Sequence, residues 1–348
     1  VKIYSNNMKN NFFKIGKKYV GKVNKVFIVA EIGVNHEGSF NLCTKLFEEA
    51  KQSGADAVKL QTVDVEKNYV QGTTSYNEFK NTDFTNEEFY KLSLVAKKLD
   101  VSFFTTPGDF ESVDKCKKYG SQAIKISSGL ITHLPLIEYV SKKKLPIIIS
   151  TGMAYENEIK NAFDSTKNNN SVALLKCTSL YPAPDYTLNV RGILNLKKMY
   201  NVPIGFSDHT LDDLSSYIAV SSGASIIEKH FTLNKKKKGK DHAISMEPKE
   251  FKNMCVNIRR IENILGKNLI EPTKLEKKLR TLRHRTLIAN RCIEKNEIFN
   301  LENVGFKRTM QNKNGLEPIY FRKILGKKNK KKIKKNQPIK LANIKENI

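Results

Sequence analysis

Eight short apolar runs, each four or five residues long, recur between residues 26 and 228, and stretches with helical spacing of apolar residues separate them. Strands that alternate with helices pair in parallel, and eight such units are the number that closes a (β/α)8 barrel. A doubly wound open sheet is the main alternative, but no GxGxxG follows the first run. The sequence therefore predicts an α/β fold, the (β/α)8 TIM barrel. Its strands are expected at 26–30, 57–61, 101–104, 123–126, 146–149, 172–176, 202–205 and 225–228.

The pattern changes after about residue 268, where the charged segment EPTKLEKKLR (271–280) follows the last long helical stretch. From Arg283 onward the chain has short β-like runs separated by turns. We therefore predict a TIM-barrel domain with an N-terminal extension over 1–270, a linker over 271–282, and a small, mainly β domain over 283–348. A domain this short has a small core, so docking on a barrel or on another subunit would help to stabilise it.

The formal net charge of +26 raises the question of nucleic-acid binding. The lysines are spread along the chain and cluster at 234–240 and 327–335, without the interleaved aromatic side chains that a single-strand binder uses. A lysine-rich solvated surface is therefore the preferred interpretation, and no nucleic acid is expected as a partner. A field this positive would still attract small anionic molecules.

Membrane and redox signals in the sequence are weak. No apolar stretch is long enough to cross a membrane, and the first residues lack the apolar segment of a signal peptide. The five cysteines are odd in number and widely spaced, which favours reduced structural thiols over disulfides or a zinc site. We therefore expect a cytoplasmic protein without a membrane partner.

The loops at the carboxyl ends of TIM-barrel strands build the active site, so polar residues at those ends are the candidates. Lys59 and Lys125 lie within predicted buried strands, where a lysine is costly unless an anion neutralises it. Four hydroxyl groups at matching strand ends complete a ring of donors that suits a small ligand with phosphate and carboxylate groups. The alternative is a structural network in which the lysines pair with Glu31 or Glu228. The hydroxyl-bearing residues are Thr106, Ser128, Ser150 and Ser207.

Two histidines occupy equivalent positions at the ends of the last two predicted strands. His209 follows the run 202–205, and His230 follows the run 225–228. Two neutral imidazoles that face one cavity can hold a divalent metal, with water or substrate in the other positions. Each histidine alone would more simply be a hydrogen-bonded cleft residue. Together they predict an open metal site of the catalytic type.

These residues stand in motifs that resemble those of the sialic acid synthases, the family of N-acetylneuraminate synthase and the bacterial legionaminic and pseudaminic acid synthases. The motifs occur in order along almost the whole chain. The C-terminal segment resembles the family's antifreeze-like (SAF) domain, with Arg308 at the position of its marker arginine. The motifs are AEIGVNHEG (30–38), GADAVKLQT (54–62), FFTTP (103–107), IKISSG (124–129), ISTGM (149–153), CTSLYPAP (177–184), GFSDHT (205–210), EKHFTL (228–233) and GKDHAISMEP (239–248).

The resemblance implies an enzyme of sialic acid and cell-surface polysaccharide biosynthesis. Such an enzyme joins phosphoenolpyruvate to an N-acetylated amino-sugar aldehyde, either N-acetylmannosamine or a diacetamido-dideoxy hexose, and releases phosphate by C–O cleavage. The resemblance also implies a divalent metal, Mn²⁺ first with Mg²⁺ or Co²⁺ as alternatives, and a domain-swapped homodimer.

The same resemblance implies a role for each candidate residue. Arg308 would reach the barrel of the partner subunit and contact the acetamido group of the sugar. The implied roles are phosphoenolpyruvate binding for Lys59, Thr106, Lys125, Ser128, Ser150 and Ser207, catalysis for Glu31, Gln61 and Lys125, sugar binding for Tyr181, Asp241 and Arg308, and metal binding for His209 and His230.

The chain departs from the family pattern in three motifs. Leu130 stands where the family usually has an acidic residue, and leucine cannot transfer a proton. Gly108 replaces the phenylalanine of the usual TPF, and Lys240 replaces the proline of the usual GPDH. General acid–base groups contribute roughly 10²–10⁴-fold to a rate. The alternative function is therefore a catalytically impaired relative that binds phosphoenolpyruvate or sugar.

Overall fold

The computed structural model describes residues 11–21, 24–309 and 315–345. The chain divides into two compact units, Val1–Gly266 and Lys267–Ile348. The predicted end of the barrel domain, residue 270, lies close to this division. Among the described residues, no helix combines the length and the apolar character needed to cross a membrane.

The first unit is a (β/α)8 barrel, as the alternation of strands and helices predicts. Eight parallel strands close in the order β10-β3-β4-β5-β6-β7-β8-β9, and β1 and β2 form a separate antiparallel hairpin. The strands are β1 (Phe12–Ile15), β2 (Lys18–Gly21), β3 (Phe27–Gly33), β4 (Ala57–Thr62), β5 (Ser102–Pro107), β6 (Ile124–Ile126), β7 (Ile147–Ser150), β8 (Val172–Cys177), β9 (Ile204–Asp208), β10 (Ile226–His230), β11 (Thr286–Ala289) and β12 (Val304–Lys307).

In the first unit, helices follow the strands and cover the outside of the barrel, and α12 and α13 belong to the second unit. Several begin at the expected signals: Thr85 and Glu88 form a capping box before α4, and Pro248 occupies the first turn of α11. The helices are α1 (Phe40–Gln52), α2 (Val65–Asn68), α3 (Thr74–Phe79), α4 (Asn86–Lys98), α5 (Phe110–Lys118), α6 (Leu134–Lys142), α7 (Glu156–Asp164), α8 (Gly192–Met199), α9 (Leu214–Ser221), α10 (Lys240–Ile244), α11 (Pro248–Leu265), α12 (Lys274–Arg283) and α13 (Phe321–Ile324).

Alternate side chains of each barrel strand pack into two different cores. On β3, Phe27 and Val29 belong to an inner core inside the barrel, whereas Ile28 and Ala30 belong to an outer core beneath the helices. Because strand side chains alternate in direction, every second residue beyond the inner core still faces the interior. We call the residues of each strand that face the interior at this two-residue spacing its inner row. The polar or thiol-bearing residues that continue the inner rows beyond the inner core are Glu31, Lys59, Gln61, Thr106, Lys125, Ser150, Cys177, Ser207, Glu228 and His230.

The hairpin β1–β2 closes the amino-terminal end of the barrel. Phe13, Ile15 and Val20 of this hairpin pack with the inner core, and the Ser102 hydroxyl donates to the carbonyl of Ile15. Apolar side chains of the described residues therefore fill the barrel at this end, and the cavity in its interior lies at the carboxyl ends of the strands.

The second unit has a small core of its own. Strands β11 and β12 pair antiparallel, and short bridges such as Ile293–Ile333 extend the pairing. Nine buried apolar residues, Leu287 and Phe299 among them, form one cluster. The segment predicted as a linker, 271–282, is mostly helical, because Thr273 and Glu276 form a capping box that starts α12.

Candidate active site

The inner rows end in a cavity of about 290 Å³ at the carboxyl ends of the strands. Most of the predicted site residues line this cavity together. This follows for the strand residues because side chains alternate in direction along each strand. Those that line it are Glu31, Lys59, Gln61, Thr106, Lys125, Ser128, Ser150, Tyr181, Ser207, His209 and His230. Two do not: Asp241 lines a neighbouring cavity, and Arg308 is exposed after β12 in the second unit.

A buried network of two lysines and two glutamates forms the floor of this cavity. Lys125 Nζ lies 2.8 Å from Glu228 Oε1, and the Ser207 hydroxyl donates to the same oxygen at 2.9 Å. Lys59 forms a close ion pair with Glu31, and its Nζ lies 3.6 Å from Glu228 Oε2. The structural network that the sequence left open as an alternative is therefore present.

Donor groups remain available for an anionic ligand beside this network. The ammonium of Lys59 donates to Thr106 Oγ1 at 3.3 Å. The Ser150 hydroxyl is buried and has no hydrogen-bond partner among the described residues. A buried hydroxyl without a partner is costly, and a ligand oxygen would satisfy it. The cavity floor thus fits a small anion that shares the lysines with Glu31 and Glu228.

The charges of this network shift the pKa values of its members. Burial lowers the pKa of Lys59 to about 7, although the nearby Glu228 carboxylate opposes the shift. Burial also disfavours the charged form of Glu228, but Lys125 and Lys59 outweigh it and hold the pKa of this carboxyl well below its usual range. Glu228 is therefore ionised near neutral pH.

The two predicted metal ligands lie side by side at the cavity wall. The ring centroids of His209 and His230 are 5.5 Å apart, and the Tyr181 ring stacks on His209 at 4.2 Å. His209 Nδ1 lies 2.8 Å from the Thr178 carbonyl, an arrangement in which Nδ1 donates and Nε2 is the nitrogen left for a ligand.

His230 also has a nitrogen suited to ligation. Its Nδ1 is buried without a hydrogen-bond partner among the described residues and lies 3.8 Å from Asp241 Oδ2. Burial lowers the pKa of His230 well below its usual value, so the ring is neutral, which is the form that binds a metal. Within the described ranges, no cluster of three or more His, Cys, Asp or Glu side chains is arranged around a metal position. The donor set therefore fits an open site with two imidazoles, where water or substrate supplies the rest.

A second cavity, of about 560 Å³, adjoins the first and shares Gln61, Tyr181 and His230 with it. Asp241 lies at this junction, because a β-carbon built on Gly33 would lie 2.8 Å from Asp241 Oδ2 and 3.3 Å from Glu31 Oε1. The two cavities form a continuous cleft that is charged at its floor and wider outside.

Contacts between two loops hold Asp241 at the cleft. Glu37 bonds Lys237 at 2.9 Å and His242 Nε2 at 3.1 Å, and Thr232 Oγ1 lies 2.7 Å from His242 Nδ1. These contacts join the loop after β3 to the segment around α10. They fix the position of Asp241, the residue that precedes His242.

Several functional candidates were missed or misjudged from the sequence. Glu228 was considered only as a possible structural partner, yet its carboxylate joins both lysines. Cys177 lines the cavity, and although burial raises its pKa, His209 outweighs burial and lowers the pKa of this thiol to about 7. Leu130 packs against the outer core and is not among the residues that line the cavity. The alternation of side-chain direction along β8 and β10 would by itself have identified Cys177 and Glu228 as residues that face the barrel interior.

Comparisons with known proteins agree on one family for this chain. The model of the NeuB family matches residues 46–269. N,N'-diacetyllegionaminic acid synthase from Campylobacter jejuni is 37% identical over 90% of this chain and 99% of that protein. Pseudaminic acid synthase from the same species is 33% identical over 89% of this chain and 94% of that protein.

A solved structure extends the agreement to the fold. The crystal structure of N-acetylneuraminic acid (sialic acid) synthetase from Leptospira borgpetersenii, in complex with citrate, has a TM-score of 0.74 and is 34% identical. The match covers 78% of this chain and 96% of that chain. The family model matches more than half of the chain, from within α1 to beyond the end of α11, and the relatives cover most of it, so the chain belongs to the NeuB family of sialic acid synthase-type enzymes.

Proposed function

We propose that the chain condenses phosphoenolpyruvate with the open-chain aldehyde of an N-acetylated amino sugar and releases phosphate. The observation that carries this proposal is the cavity floor, where Lys59, Lys125 and Ser150 offer charge and an unpartnered hydroxyl to a small anion. The wider outer cavity, about 560 Å³, leaves room for the sugar next to His230 and Gln61.

The proposed reaction forms one carbon–carbon bond, consumes one water molecule and breaks the C–O bond to the phosphate. The methylene carbon of phosphoenolpyruvate forms a bond to the aldehyde carbon, and the aldehyde oxygen takes up a proton. Water adds to the former enol carbon and loses a proton, and the resulting tetrahedral intermediate breaks its C–O bond to the phosphate. The products are a nine-carbon 2-keto acid and inorganic phosphate.

The residues of the floor hold and orient the anionic substrate throughout. Lys59, Lys125 and the hydroxyls of Thr106, Ser128, Ser150 and Ser207 keep the phosphate in place, so positioning and electrostatics carry much of the rate. Glu31, buried beside Lys59, is the carboxylate that can accept the proton of the attacking water. Gln61 and Tyr181 line both cavities and orient the sugar between them.

His209 and His230 would hold the divalent cation, proposed to be Mn²⁺ with Mg²⁺ or Co²⁺ as alternatives. A cation bound there polarises the aldehyde oxygen of the sugar. Asp241, 3.8 Å from His230 Nδ1, would contact either the sugar or a water molecule at the cation.

The acceptor is proposed to be a diacetamido-dideoxy hexose, with N-acetylmannosamine as the competing choice. The relative named for N,N'-diacetyllegionaminic acid is 37% identical to this chain, whereas the N-acetylneuraminic acid synthetase is 34% identical.

The second unit is proposed to be the antifreeze-like domain of a domain-swapped homodimer. Helix α12 supports this assignment, because Leu275, Leu279 and Leu282 are all exposed on it and would be covered by a partner subunit. In this arrangement Arg308 would reach the sugar in the partner's barrel. The proposed boundaries are 1–270 for the barrel domain, 271–282 for the connecting segment that holds most of α12, and 283–348 for the antifreeze-like part of the second unit.

Phosphate release is the direct test of the proposed function. The purified protein is expected to release phosphate from phosphoenolpyruvate only when Mn²⁺ and one of the two sugars are both present, and EDTA is expected to stop the reaction. Mass spectrometry should then detect the nine-carbon 2-keto acid. Binding of phosphoenolpyruvate without phosphate release, with either sugar, would support the catalytically impaired relative instead. In that case Leu130→Glu is the next variant to assay.

The KM for phosphoenolpyruvate is expected to rise as the pH increases above about 7. Lys59 has a pKa of about 7, so a rising pH removes the ammonium that attracts the substrate anion. KM would be measured from pH 6 to pH 9. Lys59→Arg should show a weaker dependence, because guanidinium stays charged over this range. A KM that does not change between these pH values would contradict the assignment of Lys59.

A further inference from the structure

A third cavity, of about 540 Å³, lies between the loops that follow β7 and β8 and the helices α7 and α8. Its volume falls within the range of small-molecule sites, about 300–1,000 Å³. Its walls are largely apolar and include Met153, Ile159, Leu196 and Met199. The reaction proposed above uses none of these four side chains.

Lys176 brings one positive charge into this apolar cavity. On β8, Leu175 and Cys177 face the barrel interior, so the side chain of Lys176 points outward to the helix layer. The aliphatic part of Lys176 lies over Gly192, where an added β-carbon would come within 3.1 Å of it. An outward position on a barrel strand is usually apolar, as Leu174 is here.

The ammonium of Lys176 forms a hydrogen bond but no ion pair within the described part of the chain, although the Glu156 carboxylate lines the same cavity. Its Nζ donates to the Cys177 carbonyl at 3.0 Å, and none of the ion pairs among the described residues includes it. Burial lowers the pKa of Lys176, although the Cys177 thiol opposes the shift, which reflects the cost of removing a charged ammonium from water. An anionic ligand would relieve this cost.

We propose that this third cavity is a second ligand site, which takes a small organic carboxylate with a compact apolar body. The carboxylate would pair with Lys176, and the apolar body would pack against Met153, Ile159 and Met199. A charge-assisted hydrogen bond in a partly dry site is stronger than one in water, which gives the site its preference for anions.

The third cavity shares a wall with the catalytic cavity. Met153, Cys177 and Ser179 line both, and the Ser179 hydroxyl is buried without a hydrogen-bond partner in the described structure. Thr178 also lines the third cavity, and its carbonyl is the group that orients His209. A ligand that shifts this wall would change the position of His209, so occupancy should alter turnover without excluding phosphoenolpyruvate. This effect on turnover rests on the proposed function, whereas binding itself does not.

Binding of benzoate, measured by calorimetry on the full chain, tests the site, with octanoate as a second probe and neutral benzamide as the control. We expect saturable one-to-one binding of at least one carboxylate and no binding of benzamide. Lys176→Met, which keeps the length and removes the charge, should weaken binding at least about tenfold. Asn195→Trp, at the exposed rim on α8, should block the cavity without disturbing the core. Lys198→Met on the same helix is the matched control and should bind as the unmodified protein does.

Competition and activity measurements separate this proposal from the proposed function. Binding that persists in saturating phosphoenolpyruvate supports a separate site, and displacement by phosphoenolpyruvate assigns the probe to the catalytic cavity and overturns the inference. Equal binding by folded Lys176→Met, or no binding of either carboxylate, also overturns it. If the carboxylate binds but no phosphate is released with any sugar, the site stands and only the proposed function fails.

Discussion

Glu228→Gln is expected to lower the free energy of unfolding by about 3–5 kcal/mol, because removal of one partner from a buried ion pair leaves the other charge uncompensated. Lys125 and Glu228 are both almost fully buried, and Glu228 is the carboxylate that pairs with Lys125. Glutamine keeps the shape of the side chain, so the loss of stability would come from the missing charge and not from a cavity. Urea unfolding at pH 7 measures it.

Glu87→Gln is the matched control for this charge. Glu87 pairs with Lys91 at 2.7 Å on the surface of α4, with three quarters of its side chain exposed. Loss of this exposed ion pair should lower the free energy of unfolding by less than about 1 kcal/mol. Inorganic phosphate should stabilise Glu228→Gln more than the unmodified protein, because the anion supplies the charge that Lys125 has lost. Equal stability of Glu228→Gln and Glu87→Gln would show that the buried network is not held by charge.

His230→Ala and His209→Ala are each expected to reduce phosphate release by at least about 10²-fold, the lower end of what one electrostatic or acid–base group contributes. Both imidazoles face the catalytic cavity, and each has a nitrogen that is suited to a cation. The rates would be measured at saturating phosphoenolpyruvate and sugar over a range of Mn²⁺ concentrations. Calorimetric titration with Mn²⁺ alone should show binding lost in both variants.

His284→Ala provides the control for the two histidine variants. His284 is exposed after α12 in the second unit, so its removal should leave both the rate and Mn²⁺ binding unchanged. All three variants should keep the thermal midpoint within a few degrees, which excludes unfolding as the cause. Full activity in His230→Ala would contradict the assignment of this histidine to the cation.

The order and number of the barrel strands could be predicted because the pattern of apolar runs repeats eight times. The inner rows followed from the same pattern: once Phe27 and Val29 face inward, Glu31 must do so as well. His209 and His230 could be paired from the sequence because adjacent parallel strands end at one level, and the structure brings their rings to 5.5 Å. Alternation of side chains is a local property, and short-range patterns reveal it.

Only the tertiary structure shows which charged side chains pair with one another. The sequence left Glu31 and Glu228 as equal candidates for the lysines, and only the closed barrel brings Glu228 to Lys125 from β10 across to β6. Asp241 reaches His230 through loop contacts such as Glu37 with His242, whose spacing of about two hundred residues carries no local signal. Leu130, at the position where the resemblance implied an acidic residue, packs on the outer core and is not among the residues that line the cavity.

The sequence by itself determined the barrel, its interior rows and most of the residues that meet at their ends, because periodicity depends only on neighbours along the chain. Only the tertiary structure decided which charges neutralise each other, that α12 replaces part of a predicted linker, and that Lys176 points into a cavity behind the active site. These features depend on distances between segments far apart in sequence. Closure of the sheet and packing of the loops set such distances, and no pattern of nearby residues encodes them.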